Sequence, residues 1–216
     1  MRRTILPLFL IVALAFSLSA LGCARKAQHE PRPLTQGLRV GIAPFTQPHS
    51  TGDLIMGRLP EAQGTVVAGV LAQLDTTFSA LLTKTATRPV TILPPMSDPK
   101  KAQIHAAENA SALPRWVAYG KQHRLDLLVV PMVLDWHQRQ GSAAGVTDSA
   151  AVHVEFYLID VHSGGLQNRS ITKEKQVGLS DNLLTMPQFF KRHASWVTAE
   201  ELTQEAMAKA IKDLGL

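Results

Sequence analysis

Asp135-Trp136-His137 ends an apolar run, the chain turns between Gly141 and Asp148, and His153 and Glu155 return interleaved with Val152, Val154 and Phe156. A hairpin symmetric about Ala144 sets Trp136 opposite Val152, Leu134 opposite Val154 and Met132 opposite Phe156, an apolar match that selects this register. The same register places Asp135 against His153, with His137 and Glu155 nearby. Two imidazoles and two carboxylates on one face form the donor set of a divalent-metal site or an acid–base pair. The plainer reading is a wet hairpin face with an incidental Asp–His pair, and it is preferred. Asp135, His137 and His153 are thus metal or acid–base candidates only; no metal and no cofactor is expected.

Nothing in the sequence supplies a nucleophile to such a pair. There is no G-x-S-x-G elbow, H-E-x-x-H helix, P-loop or G-x-G-x-x-G motif. Gly141-Ser-Ala-Ala-Gly145 is bounded by glycines, but its serine is misplaced for an elbow, and the segment reads as a hairpin loop. The one cysteine, Cys23, excludes an internal disulfide and any multi-cysteine metal site.

The positioning elements follow from periodicity. Leu38 to Phe45 is an apolar run stopped at Pro44, a first strand, and residues 47–64 form a long loop of the kind that can close over a ligand. Val67, Val70, Leu71, Leu74, Phe78, Leu81 and Leu82 mark one face of a helix ending before Arg88-Pro89. Val90 to Leu93 is a second strand. Asp98-Pro99 opens a short helix to about Glu108, and Ser111 caps another that turns Leu113, Trp116 and Val117 inward and ends near His123. Leu127 to Leu134 is apolar throughout, as in a strand covered on both faces; Pro131 within it requires a bulge or an unpaired side. Ala151 to Val161 alternates, His162-Ser-Gly-Gly165 turns, and the charged 167–177 strand reads as an edge. Phe189, Phe190 and Trp196 are assigned to packing on the sheet. Thr198-Ala-Glu-Glu201 is a capping box for a last helix with Leu202, Ala206, Met207, Ala210, Ile211 and Leu214 inward. The order β-α-β-α-β-β-β-α predicts an α/β fold of α+β character, with helices packed on a mixed sheet of four to five strands in which 38–45 and 127–134 are central.

The chain has 216 residues, 45% apolar, with 22 Lys+Arg against 17 Asp+Glu. That suffices for one domain with one core. Met1-Arg2-Arg3 followed by the apolar run Ile5 to Leu21 reads as a secretory leader. Its removal takes two basic residues and no acid, leaving a net charge of +3. The remaining lysines and arginines are scattered, so no nucleic-acid partner is expected. Residues 24–37 are polar, contain two prolines and show no period, as a tether does.

Leu21-Gly22-Cys23, directly after the apolar run, resembles the bacterial lipobox, with Ala20 where leucine is usual. The resemblance implies residues 1–22 as a lipoprotein signal peptide, Cys23 as the acylated mature N-terminus, residues 23–37 as lipidated cysteine and tether, and 38–216 as a single α/β domain. Ala24 after the cysteine, rather than Asp, implies sorting to the outer membrane, with the domain facing the periplasm.

The succession Val-Gly-Ile-Ala-Pro-Phe, a long helix, Asp-Leu-Leu-Val-Val and Leu-Ile-Asp-Val-His-Ser-Gly-Gly is similar to the curli-secretion lipoprotein family. Its relatives include lipoprotein activators of penicillin-binding proteins, lipoproteins of exopolysaccharide export and the amino-terminal domain of the Tol-Pal propeller protein. The resemblance covers Leu38 to Leu216. It implies a non-enzymatic envelope protein that binds other envelope proteins during assembly or export, with a homo-oligomer compatible. The competing expectations are a small periplasmic hydrolase or metal-binding protein using Asp135, His137 and His153, and a ligand-binding sensor closed by loop 47–64.

Overall fold

Five strands form one mixed sheet in the order β2-β1-β3-β6-β7. The computed structural model describes residues 34–35, 37–96, 111–177, 190, 192 and 194–216. The elements are β1 (Val40–Ile42), α1 (Val70–Thr85), β2 (Val90–Ile92), α2 (Leu113–Gln122), β3 (Leu127–His137), β4 (Gln140–Ser142), β5 (Gly145–Asp148), β6 (Ala151–Asp160), β7 (Gly165–Lys175) and α3 (Ala199–Leu214). Strand β1 runs parallel to both β2 and β3, while β3, β6 and β7 form an antiparallel meander. As the sequence predicts, β1 and β3 are interior and β7 is an edge.

Each sheet face buries its own core. On one face, Leu74, Phe78 and Leu82 of α1 and Leu202, Ala206, Met207 and Ile211 of α3 cover Val129, Val133, Val154 and Phe156. Phe45, Phe78 and Phe156 meet there with ring centroids 5.4–5.9 Å apart. On the other face, Trp116, Val117 and Tyr119 of α2, with Leu54 and Ile55 of the long loop, cover Leu128, Val130, Met132, Tyr157 and Ile159. Helix α3 has the predicted capping box: Glu201 N–H donates to Thr198 Oγ1 at 3.2 Å, and Thr198 N–H to Glu201 Oε2 at 2.7 Å. Gly215 closes it at φ 69°, a left-handed conformation open to glycine without steric penalty. Leu34 joins the first core, and Arg88 donates to its carbonyl oxygen at 2.8 Å.

Several expectations are corrected. A bulge between Val133 and Asp135 shifts the β3–β6 register. Trp136 faces Val152 and Asp135 faces His153 as expected, but Val154 lies opposite Val133, Phe156 opposite Pro131, and Met132 opposite Glu155. Pro131 is accommodated because its backbone nitrogen points toward the chain leaving β1 at Ala43-Pro44. The parallel ladder there is already interrupted, and resumes with Thr46 N–H donating to Pro131 C=O and Val133 N–H to Thr46 C=O. Val67 lies before α1 and is 69% exposed, since Gly69 at φ 88° starts the helix after it. Ala112, not Ser111, occupies the α2 cap position, with Pro114 in the first turn where its missing N–H is harmless. The 141–148 segment is a two-stranded hairpin, β4–β5, rather than a plain turn. Phe190 is 60% exposed, not packed on the sheet. The expected helix 98–108 and Phe189 lie outside the described residues, as does Cys23. Among the described residues no helix is long and apolar enough to cross a membrane.

Candidate functional site

The β3 bulge and the returning β6 strand shape a polar groove of about 790 Å³ that Asp135, His137, His153, Lys173 and Lys175 help to line. The sequence-predicted residues all lie there, but their side chains pair within strands. Asp135 Oδ1 accepts from Gly64 N–H at 2.8 Å and from Trp136 N–H at 3.0 Å, and lies 2.9 Å from His137 Nε2. His153 Nε2 lies 2.9 Å from Glu155 Oε1. Among the described residues, no group of three or more His, Cys, Asp or Glu is placed to hold a metal.

Glu155, which the hairpin register sets only near the Asp135–His153 pair, is the centre of this face. It is buried, accepts from the Tyr157 hydroxyl through Oε2, and has Arg169 Nη1 at 3.5 Å. Burial alone would push the Glu155 carboxyl up; hydrogen bonds from His153 and Tyr157, with the Arg169 charge, more than offset it and hold the group below its ordinary value. The Tyr157 phenol is pushed well above its ordinary range, first by burial and then by Glu155. A phenol so held is a donor to Glu155, not a nucleophile, and the geometry is that of a buried ionic network in which His153 Nδ1 has no hydrogen-bond partner among the described residues.

A second cavity, of about 510 Å³, opens where β1 and β2 end. Phe45, Leu71, Met96, Trp116 and Met132 make its wall apolar. Asp75 on α1 lines it and accepts from Phe45 N–H at 2.7 Å through Oδ1. Burial pushes the Asp75 carboxyl up, and the single Phe45 donor offsets this only in part. Across the cavity Arg115 Nη2 donates to Gly52 C=O at 2.9 Å and to Asp53 Oδ1 at 3.3 Å. Loop 47–64 thus supplies one wall through Gln47, Pro48, His49 and Asp53. Asp75 was missed in sequence because it reads as a polar residue beside an apolar stripe. The available signal was its placement between Leu74 and Phe78, one turn after Leu71.

No family model matches the chain, and no curated protein matches it. Solved structures share similarity over most of its length. The PelC dodecamer from Paraburkholderia phytofirmans is 15% identical over 86% of this chain and 93% of that one, with a TM-score of 0.48. Lipoprotein GNA1162 from Neisseria meningitidis is 12% identical over 73% of this chain and 98% of that one, with a TM-score of 0.36. The LpoB C-terminal domain from Salmonella enterica is 11% identical over 68% of this chain and 88% of that one, with a TM-score of 0.36. At these identities and TM-scores the likenesses carry no weight on activity or partner.

Proposed function

We propose that the protein is a non-enzymatic lipoprotein, anchored through acylated Cys23 to the outer membrane, whose periplasmic domain binds envelope proteins during assembly or export. The observation that carries the reading is the position of the one cysteine, directly after Leu21-Gly22 at the end of the apolar run. A single acyl chain holds a protein only marginally, whereas two or more on one residue give stable anchoring. Because Leu34 is packed in the core, the chain from Ala24 to Pro33 could extend at most roughly 33–36 Å, which keeps the domain close to the membrane. Binding surfaces consistent with a protein partner are the two sheet edges, where Ile92 of β2 is 48% and Ile171 of β7 is 38% exposed.

Two measurements test the reading. Intact mass of the wild-type protein should show acyl chains on a chain beginning at Cys23, and Cys23→Ser should lose them and remain on its leader or be released by another peptidase. A wild-type protein recovered soluble from the periplasm, without acyl chains, refutes the anchor. Photo-crosslinkers at positions 92 and 171 in intact cells should yield adducts with envelope proteins; adducts at neither position refute binding through the edges.

A further inference from the structure

Strands β1 and β2 are parallel neighbours, and the helices that follow them, α1 and α2, pack on opposite faces of the sheet, although the loop after β1 first sends Leu54 and Ile55 into the α2-side core. The chain after β1 reaches α1 in the core of Leu74, Phe78 and Leu82; the chain after β2 reaches α2 in the core of Trp116 and Val117. Where the helices after adjacent parallel strands pack on opposite faces in this way, a crevice is left outside the carboxyl ends. The 510 Å³ cavity is that crevice: its lining comes from the segments after β1 and β2, from one helix on each face and from Met132 of β3. Its volume suits a small molecule rather than a peptide segment.

The chemistry of the wall selects the ligand. Phe45, Leu71, Met96, Trp116 and Met132 favour an apolar body. Arg115 and Asp53 neutralise each other at 3.3 Å. Asp75 has no such partner: its one hydrogen bond among the described residues is from Phe45 N–H, and it engages Oδ1 alone. The half-buried carboxylate is left with acceptor capacity facing an apolar cavity, an arrangement that rewards a donor bearing positive charge.

We propose that this crevice is a binding site for a small apolar molecule carrying an ammonium group, with the ammonium on Asp75 and the apolar body against Trp116 and Met132. The site is independent of the edge surfaces and of the lipid anchor. Loss of acylation or of crosslinking would leave it standing, and failure to bind an amine would leave the lipoprotein reading standing.

The test uses the full-length protein in lipid nanodiscs, titrated with a fluorinated phenethylamine and followed by fluorine NMR, with empty nanodiscs to subtract partition into lipid. The matching neutral alcohol and the matching phenylacetate are run in parallel. The amine should bind saturably and at least about tenfold more tightly than the alcohol, as a charge-assisted hydrogen bond in a half-buried site implies; the phenylacetate should bind more weakly than either. Asp75→Asn keeps an acceptor for Phe45 N–H and should bring the amine down to the level of the alcohol. Leu71→Trp, which fills the crevice from a half-buried position on α1, should remove binding of both without changing the circular dichroism. No saturable excess over empty nanodiscs, equal affinity for amine and alcohol, or an amine preference that survives Asp75→Asn each overturns the proposal. Should Asp75→Asn fail to fold, the wild-type ratio of amine to alcohol and the Leu71→Trp loss decide it.

Discussion

Removing the Glu155 carboxylate should be among the most damaging single changes on the polar face. Truncating one partner of a buried charged set costs about 3–5 kcal/mol. The partners here are His153 at 2.9 Å, the Tyr157 hydroxyl, and Arg169 at 3.5 Å. Arg169 retains about a third of its side-chain exposure and can turn to water, which discounts its share. Tyr157 is fully buried, and without Glu155 the acceptor left to its hydroxyl among the described residues is the Met56 carbonyl at 3.4 Å. A stranded buried donor costs about 1–3 kcal/mol, so the lower end of the range, about 3 kcal/mol, is expected for Glu155→Ala. For a domain of this size that corresponds to a fall of about 6–12 °C in Tm. Glu155→Gln keeps the shape and one acceptor and should cost about half as much.

Two further readouts separate this network from simple loss of packing. Tyr157→Phe combined with Glu155→Ala should destabilise by less than the sum of the single changes, with a coupling of at least about 0.5 kcal/mol, because the phenol has nothing to lose once the carboxylate is gone. The Glu155 carboxyl titrates below its ordinary value in the folded state, so its contribution is fully present above about 4.5, the ordinary value, and is lost as pH falls through the lower folded value. Glu155→Gln should therefore flatten the acid limb of the stability curve below that pH and leave the neutral limb parallel to wild type. Guanidinium denaturation across pH measures all of these. A Glu155→Ala loss under about 1 kcal/mol, or strict additivity with Tyr157→Phe, refutes the network as described.

A Cβ at Gly64 would lie 1.9 Å from the Trp136 carbonyl oxygen, so Gly64→Ala must displace the loop and with it the Gly64 N–H bond to Asp135; a loss of about 2 kcal/mol or more in denaturation is expected, and a neutral variant would contradict the close approach. Thr198→Ala removes the acceptor for Glu201 N–H and should cost about 1 kcal/mol in the same assay. In hydrogen exchange, the amides of β3 and β6, paired on both sides, should be the slowest, and β7 faster at its free edge; β7 among the best-protected segments would contradict the strand order.

The sequence was legible where its period was unambiguous. Val152, Val154, Phe156 and Leu158 alternate with His153, Glu155 and Tyr157, and the structure puts the two sets on opposite faces of β6. Helix α3 was legible from both ends, through Thr198 with Glu201 and through its inward stripe. Strand β3 was not, because Leu127 to Leu134 is apolar at every position and so carries no parity. With both faces buried, a bulge within that run changes which residues meet without changing the pattern of apolar and polar letters. The first turn of α1 failed for a related reason. Val67 continues the apolar spacing backward, but spacing cannot register that Gly69 takes a left-handed conformation and separates it from the helix. The crevice was invisible for want of any motif: it lies where the helices after two adjacent parallel strands pack on opposite faces, a property of topology rather than of adjacent residues. Asp75 and Arg115, forty residues apart in sequence, gain their meaning only from that topology.

The bulge also explains why Asp135, the residue that first suggested chemistry, serves the backbone. Leu134 packs in one core and Trp136 in the other, although strict alternation would put both on one face. The extra residue at this point lets the strand exchange faces, and such an exchange leaves local backbone donors without ladder partners. Asp135 accepts from one of these, Trp136 N–H at 3.0 Å, and from Gly64 N–H of the facing loop at 2.8 Å. The carboxylate thus fixes the bulge and fastens loop 47–64 to the hairpin, while His137 reaches it from the solvent side. The Asp135 carboxylate that looks like half of an acid–base pair in sequence is, in space, the acceptor that holds a bulge within β3, with the His137 imidazole beside it. The same loop continues to the crevice, where Asp53 orients Arg115, so the polar groove and the crevice are opposite ends of one fastened segment.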